Sequence, residues 1–116
     1  MRTVIEPGTH NFTIYQGATF ELDLQYKDST GTGVNMSGYS IAAKLANQTN
    51  SSDILATFTT AFTDASTGQF QIKLTAAETA ALTNGGLYDV LITEPGGDKY
   101  YILQGRASLD PGITGL

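Results

Sequence analysis

The sequence predicts an all-β fold of about seven antiparallel strands, arranged as a sandwich or a barrel. Apolar and polar residues alternate in one segment after another, which places alternate side chains on opposite faces of a strand. Turn-forming Asp, Gly and Pro residues separate these segments, and only one short segment has the pattern of a helix start. The 116 residues are enough for one domain whose core needs no disulfide bond.

The predicted strands follow one another along the chain, beginning with a weak one through Phe12 and Ile14. The later strands, with the residues expected to face inward, are 18–26 (Phe20, Leu22, Leu24, Tyr26), 40–45 (Ile41, Ala43, Leu45), 56–63 (Ala56, Phe58, Thr60, Phe62), 69–74, 87–92 (Tyr88, Val90, Ile92) and 103–109 (Leu103, Gly105, Ala107, Leu109). The alternation is cleanest in 69–74. Because the opposite faces are largely polar, each strand is expected to bury one face.

The connections have the composition of turns. Segments 28–33 and 64–68 begin with Asp and contain Gly, so a side chain can bond the backbone while Gly takes a positive φ. Segment 94–98, Glu-Pro-Gly-Gly-Asp, is the most explicit hairpin signal. Segment 48–53 is polar and is predicted to be a mobile loop.

The predicted helix lies in the connection before the Tyr88 strand. Thr75 and Glu78 have the spacing of a capping box, the helix continues to Leu82, and 84–86 (Asn-Gly-Gly) should end it in a left-handed conformation. The position of Tyr88 matches the tyrosine corner of immunoglobulin-like sandwiches, in which the hydroxyl bonds back to the preceding corner. The alternative is a core Tyr88 whose hydroxyl meets water. The corner interpretation favours an immunoglobulin-like β-sandwich.

Composition excludes several kinds of chemistry. The absence of Cys removes thiolate metal sites and cysteine nucleophiles, and a lone His, His10, leaves no two-His metal site and few catalytic triads. A net charge of −5 argues against nucleic acid or an anionic membrane as the main partner, since both bind basic surfaces. We therefore predict no enzyme activity, no cofactor, and no catalytic, cofactor-binding or metal site.

Individual candidates have simpler explanations. Glu21 and Asp23 share a strand face, but nothing nearby in sequence would raise one carboxyl pKa as a general acid requires. Five Asp residues in predicted loops could bind Ca²⁺ if they converged, but each is also a plain turn former; they are Asp28, Asp53, Asp64, Asp98 and Asp110.

The remaining polar candidates lack the residues that their chemistry needs. Segment 31–33 (Gly-Thr-Gly) has no Lys and no following helix, so it does not fit a phosphate loop. Ser37 and Ser40 have no base with a supporting acid. His10 is expected to be an exposed residue at a strand edge. Of Tyr100 and Tyr101, which point to opposite faces of a strand, one should be in the core and the other available to a partner.

The order of several motifs resembles a family of small tailed-bacteriophage proteins, similar to the immunoglobulin-like N-terminal domain of phage baseplate upper proteins. The motifs are 15–20 (YQGATF), 34–39 (VNMSGY) leading into 41–45 (IAAKL), 74–82 (LTAAETAAL), 86–90 (GLYDV) and 103–107 (LQGRA). The similarity spans about residues 10 to 110. It implies a virion component, assembled in several copies, without catalytic residues.

The resemblance also sets expectations for organisation. We divide the chain into an N-terminal arm (1–9), one sandwich domain (10–110) and a C-terminal tail (111–116), the two ends either ordering on a neighbouring subunit or fraying. Larger baseplate proteins continue into a stalk and a receptor-facing domain, whereas this sequence stops at Leu116. An adaptor or decoration role is thus favoured over receptor binding.

Three functional hypotheses follow. The leading one is a virion structural protein of tail, baseplate, neck or capsid, whose partners are other virion proteins and copies of itself. The alternatives are a free-standing carbohydrate- or protein-binding module and an enzyme. The first residues contain no apolar run of signal-peptide length, so synthesis in the cytoplasm is expected. The phage resemblance implies that this is the host cytoplasm and that the protein is located in the virion.

Overall fold

The structure is a computed structural model that describes residues 8–112, which form nine strands, a 3₁₀ turn and a short helix in two sheets. The strands are β1 (Gly8–Thr9), β2 (Phe12–Tyr15), β3 (Phe20–Gln25), β4 (Ser40–Asn47), β5 (Asn50–Thr57), β6 (Thr59–Asp64), β7 (Gln69–Leu74), β8 (Gly86–Thr93) and β9 (Lys99–Asp110), with the 3₁₀ turn at Ala65–Thr67 and α1 at Ala76–Ala80. The fold is the predicted immunoglobulin-like β-sandwich, with its short helix just before the Tyr88 strand.

Six strands make one sheet and three make the other. The larger sheet has the order β1-β9-β8-β4-β5, and β2 also pairs with β9; the smaller has the order β3-β7-β6. All pairings are antiparallel except those of β1 and β2, which run parallel to β9. The N-terminal segment therefore covers one edge of the larger sheet.

The core lies between the sheets and follows the predicted alternation. Its fully buried members include Phe70, Ile72 and Leu74 of β7, and Val90 and Ile92 of β8. The inward positions of β3 are half-buried and pack against the same cluster. Period-two patterning was therefore sufficient to identify the buried face of these strands.

The prediction of one continuous strand over 56–63 is wrong, because the structure divides this segment between two strands. The chain leaves the larger sheet after Thr57 and enters the smaller sheet at Thr59, with buried Phe58 at the crossing, where its N–H donates to the Ala43 carbonyl at 2.9 Å. Phe62 occupies a core-facing register position opposite Phe70, but it lies at the sheet edge and is 37% exposed.

The predicted mobile loop 48–53 is also wrong. Most of it belongs to β5, which pairs with β4 through two register shifts. Local side chains stabilise this polar hairpin: Asn47 Oδ1 accepts from the Thr49 N–H, and Asn50 Oδ1 accepts from the Ser52 hydroxyl at 2.7 Å. Composition alone misses a polar strand of this kind, because its backbone pairing needs no apolar face.

The helix begins as predicted and ends differently. Thr75 and Glu78 form the complete capping box. The helix ends at Ala81 in a right-handed conformation, and neither Gly85 nor Gly86 has a positive φ. Glycine is needed at these positions because neighbouring backbone lies very close. A Cβ atom at Gly85 would collide with the Ala107 carbonyl oxygen, and one at Gly86 would collide with the Ala46 carbonyl oxygen.

Most of the turns predicted from the sequence are present in the structure. Segment 94–98 is the hairpin between β8 and β9, with Gly97 at a φ of 98°. Gly31 and Gly68 also have positive φ values in the predicted loops. In the part of the chain that the structure describes, no helix has the length and hydropathy to cross a bilayer.

The Tyr88 hydroxyl makes a buried hydrogen bond, but not the predicted one. It donates to the His10 carbonyl at 2.5 Å, in the link between β1 and β2, and not to the preceding corner. The side chain is buried, and burial raises the pKa of Tyr88 to about 12. The parallel N-terminal segment on β9 brings this carbonyl into reach, a placement that local sequence does not encode.

Substitution of Tyr88 by Phe is expected to lower the free energy of unfolding by about 1 to 2 kcal/mol, because the His10 carbonyl loses a buried donor. Chemical denaturation of both proteins measures this difference. A Tyr15→Phe variant is the control, since Tyr15 is 56% exposed. A loss at Tyr88 no larger than at Tyr15 would contradict a structural role for this hydrogen bond.

Candidate interaction surface

Three of the exposed large hydrophobic side chains among the described residues, Ile54, Leu87 and Tyr101, lie on the outward side of the six-stranded sheet, which we call the outer face. The register of β5, β4, β8 and β9 aligns three cross-strand rows on it, the third of them without a β5 residue. The rows are Ile54, Ala46, Leu87 and Arg106; then Thr57, Lys44, Asp89 and Gln104; then Ala42, Leu91 and Tyr101. Two largely apolar rows thus flank a polar one.

The apolar rows are open to solvent. Ile54 is 45% exposed, Leu87 is 44% exposed and Tyr101 is 51% exposed. Tyr101 is the surface aromatic that the sequence predicted, while Tyr100 is half-buried and packs against the core. Large apolar and aromatic side chains gathered on one sheet face mark a surface suited to contact with another protein.

Lys44 and Asp89 lie opposite each other in the central row. Partial burial raises the pKa of the Asp89 carboxyl, and Lys44 opposes that shift. The Asp89 residue is itself exposed and lies between the apolar rows. A partner that binds this face must carry charges complementary to those of Asp89 and Lys44.

Asp89 should make stability pH-dependent in a definite direction. Since the pKa in the folded state lies above the ordinary value of 3.8, the folded chain binds this proton more tightly than the unfolded chain. The stability that this difference in proton binding adds is present below about pH 3.8. It is lost as the pH rises through the pKa of Asp89 in the folded state. Asp89→Asn should therefore gain stability relative to wild type between about pH 3 and about pH 7.

Urea denaturation of both proteins at the two pH values measures this difference. Asp98→Asn, in the exposed β8–β9 hairpin, is the control variant. A stability difference that stays constant for Asp89→Asn, or that changes equally for the control, would contradict a raised pKa of Asp89 in the folded state.

The outward side of the three-stranded sheet is polar. Glu21 forms an exposed ion pair with Lys73 at 3.4 Å, and Asp23 accepts from the Gln71 amide at 3.0 Å. The carboxylates that share a strand face in sequence are thus each held by a neighbour on β7. They lie on a solvated surface, as predicted.

Three of the carboxylates considered for Ca²⁺ have local structural positions. The Thr30 hydroxyl donates to the Asp28 carboxylate at 2.6 Å and is the main cause of its lowered pKa, and the N–H groups of Thr32 and Thr30 add to the effect. Asp64 accepts from the Ser66 hydroxyl, which lowers its pKa. Asp53 lies in β5, not in a loop. Residues 8–112 contain no group of three or more His, Asp or Glu side chains arranged to hold a metal ion.

The other polar residues considered in the sequence lie in strands, turns or at a strand edge. His10 is exposed beside β9, and its N–H donates to the Gln104 carbonyl at 3.0 Å. Ser37 lies in a turn whose backbone is held by the Asn35 side chain, and Ser40 begins β4. The Gly31–Gly33 segment belongs to a turn closed by pairing of Lys27 with Gly33.

A shallow polar depression of about 410 Å³ lies at the Arg106 end of the outer face. Amide side chains of Asn47, Gln48 and Asn84 line it, together with Arg106 and the close-packed Gly85–Gly86 backbone. It was not predicted from sequence, because its residues come from three distant parts of the chain. Its lining offers hydrogen-bond donors and acceptors and no aromatic ring.

The fold and this surface define a class of protein, a small immunoglobulin-like β-sandwich that presents an apolar sheet face. Residues 6–109 match the family model described as LtfC-like, beta-sandwich domain, and the chain belongs to this family. LtfC is a phage tail fibre-related protein, so the predicted resemblance is confirmed at the level of a phage-associated protein with an immunoglobulin-like sandwich. The likeness to baseplate proteins stays a prediction.

Among solved structures, the chain is similar to the crystal structure of the Lin-41 filamin domain. The identity is 14%, the match covers 86% of this chain and 84% of the filamin domain, and the TM-score is 0.47. The comparison with curated proteins finds no match.

Proposed function

We propose that the protein is a non-enzymatic structural component of the phage virion, acting as an adaptor or decoration protein of tail, baseplate, neck or capsid. It works through protein–protein assembly, and its partners are other virion proteins and copies of itself. The observation that carries this proposal is the outer face, where Ile54, Leu87 and Tyr101 are each close to half exposed.

The outer face has the composition of a protein contact. Interface centres are enriched in aromatic and large apolar residues, and a few fixed charges set orientation. Here Leu87 and Tyr101 belong to the flanking rows, and the Lys44–Asp89 pair lies between them. A flat virion subunit with an apolar surface and a complementary pair of charges is the partner that this pattern fits.

The family and the composition support the same proposal. The LtfC-like family is phage-associated. A net charge of −5 with one His and no Cys suits a protein that contacts other proteins better than one that binds nucleic acid or performs acid–base chemistry.

The test uses two variants that add the same charge to opposite sheets. Leu87→Lys places an ammonium group in an apolar row of the outer face, whereas Gln71→Lys places one on the smaller sheet, where Asp23 can pair with it. In phage carrying each allele, Leu87→Lys should reduce the amount of this protein in purified particles at least tenfold, an effect of about 1.4 kcal/mol on docking. Gln71→Lys should be incorporated normally.

Thermal unfolding of both purified variants shows whether each remains folded. If folded Leu87→Lys protein enters particles as well as wild type does, the outer face is not the docking surface. If wild type itself is missing from particles, the virion role is wrong.

A free-standing binding module is the second candidate, favoured by the polar depression. Asn47, Asn84 and Arg106 could hydrogen-bond sugar hydroxyls or an exposed peptide segment. Glycan-array binding that is lost in Arg106→Ala would support this function, and no binding to any glycan or extended peptide would remove it.

A further inference from the structure

The exposed strand edges of the sandwich are unequally protected against pairing with another chain. Natural proteins protect such edges with charges, Pro residues, bulges or very short strands. The edge strand β3 carries Glu21 and Asp23, and β5 carries Asp53 and two register shifts. The N-terminal edge consists of short pieces of two and four residues.

The fourth edge strand, β6, lacks these protective features over most of its length. Its sequence is Thr-Thr-Ala-Phe-Thr-Asp, with a single charge at its last residue and one register shift at that same end. Among the described residues it pairs with β7 on one side and with no strand on the other. Thr and Phe are also strong strand formers.

Phe62 indicates that this edge is incompletely covered. It faces the core side of its sheet, opposite the fully buried Phe70, and yet it is 37% exposed. A further strand beside β6 would remove apolar ring surface from water at the same time as it satisfied the free backbone groups.

We infer that the occupant of this edge is the β6 strand of a second copy, paired antiparallel about a two-fold axis at Ala61. This inference deepens the self-association in the proposed function and rests on it. The two small sheets then join into one continuous six-stranded sheet, with Ala61 opposite its counterpart and Thr60 opposite Phe62 of the second copy. Such a contact is isologous, as two-fold symmetry requires.

The scarcity of charged residues on β6 allows a second copy to pair with this edge. Each copy has a net charge of −5, so two copies must meet where few carboxylates face each other. In the proposed register the two Asp64 residues lie at opposite ends of the strand pair, about 20 Å apart at ~3.4 Å per residue, which exceeds the screening length of about 8 Å at physiological salt. Antiparallel pairing of β3 with itself would bring Glu21 and Asp23 close to their counterparts instead.

The experiment places opposite charges at the proposed axis. Ala61 is exposed on the outward side of the sheet, so Ala61→Lys and Ala61→Glu should leave the monomer folded while each sets like charges opposite one another in a pair. Sedimentation equilibrium and native mass spectrometry should show wild-type dimers, and each variant alone should dimerise at least tenfold more weakly. An equimolar mixture of the two variants should recover dimers that contain one copy of each.

Gln71→Lys is the matched control, because residue 71 lies opposite Ala61 on the neighbouring interior strand. It should dimerise as wild type does. Recovery in the mixture supports the pairing, because it requires residue 61 to meet residue 61. Wild type that stays monomeric at millimolar concentration, single-charge variants that dimerise normally, or a mixture without heterodimers would each overturn it. If pairing fails while the protein still enters particles through its outer face, the proposed function stands and only this inference falls.

Discussion

Replacement of Phe58 by Ala is expected to lower the free energy of unfolding by about 3 to 5 kcal/mol, the usual cost of emptying a buried aromatic site. Phe58 is 3% exposed at the point where the chain crosses between sheets. Its ring centroid lies 6.0 Å from that of Phe20 and 6.4 Å from those of Phe12 and Tyr88. Removing it therefore opens a cavity shared by both sheets and the N-terminal segment.

Phe62→Ala is the matched control, four residues further along the same predicted alternation. Because Phe62 is 37% exposed, its loss should cost less than about 1 kcal/mol in dilute solution, where the monomer predominates. Guanidinium denaturation monitored by circular dichroism compares the two variants. Equal costs would contradict the sheet crossing at Phe58 and support a single strand through 56–63.

Substitution of Gly105 by Ala should cost about 3 kcal/mol. The added Cβ would collide with the His10 carbonyl group, whose oxygen also accepts the Tyr88 hydrogen bond. Overpacking against backbone costs about 1 to 3 kcal/mol, and displacement of the segment weakens the Tyr88 hydrogen bond, whose complete loss is expected to cost about 1 to 2 kcal/mol. Gly96→Ala is the control, since no atom lies within 4 Å of its Cβ position.

A double-mutant cycle tests the shared contact. Gly105→Ala and Tyr88→Phe both act through the His10 carbonyl, so the double variant should lose clearly less stability than the sum of the two single variants. Equilibrium unfolding of the four proteins measures the coupling. Strict additivity would show that the alanine is accommodated without moving His10.

Patterning predicted the antiparallel all-β fold, the inward faces of β3, β4, β7 and β8, and the capping box, because these features depend on residues close in sequence. It could not predict that Tyr88 bonds to His10, because the two residues lie 78 positions apart. The switch between sheets at Phe58 was missed for a similar reason. Alternation continues through the crossing, so the hydrophobic pattern shows no break there.

The candidate surface was predicted in part. Alternation placed one of Tyr100 and Tyr101 outside, and Tyr101 is the exposed one. Leu87 was assigned to the outward side of its strand without being recognised as part of a surface, because cross-strand register decides which outward residues become neighbours. Ile54 was missed because it follows a polar segment assigned to a loop; the adjacent Ile54 and Leu55 were the available signal of a strand.

A structural component of the virion should stay with the particle through purification. Quantitative mass spectrometry of purified particles, washed at high salt and compared with the infected-cell lysate, tests it most directly. We expect the protein to remain with the particles in several copies, at a constant ratio to another structural protein. Recovery of the protein only in the lysate, with none in washed particles, would contradict it.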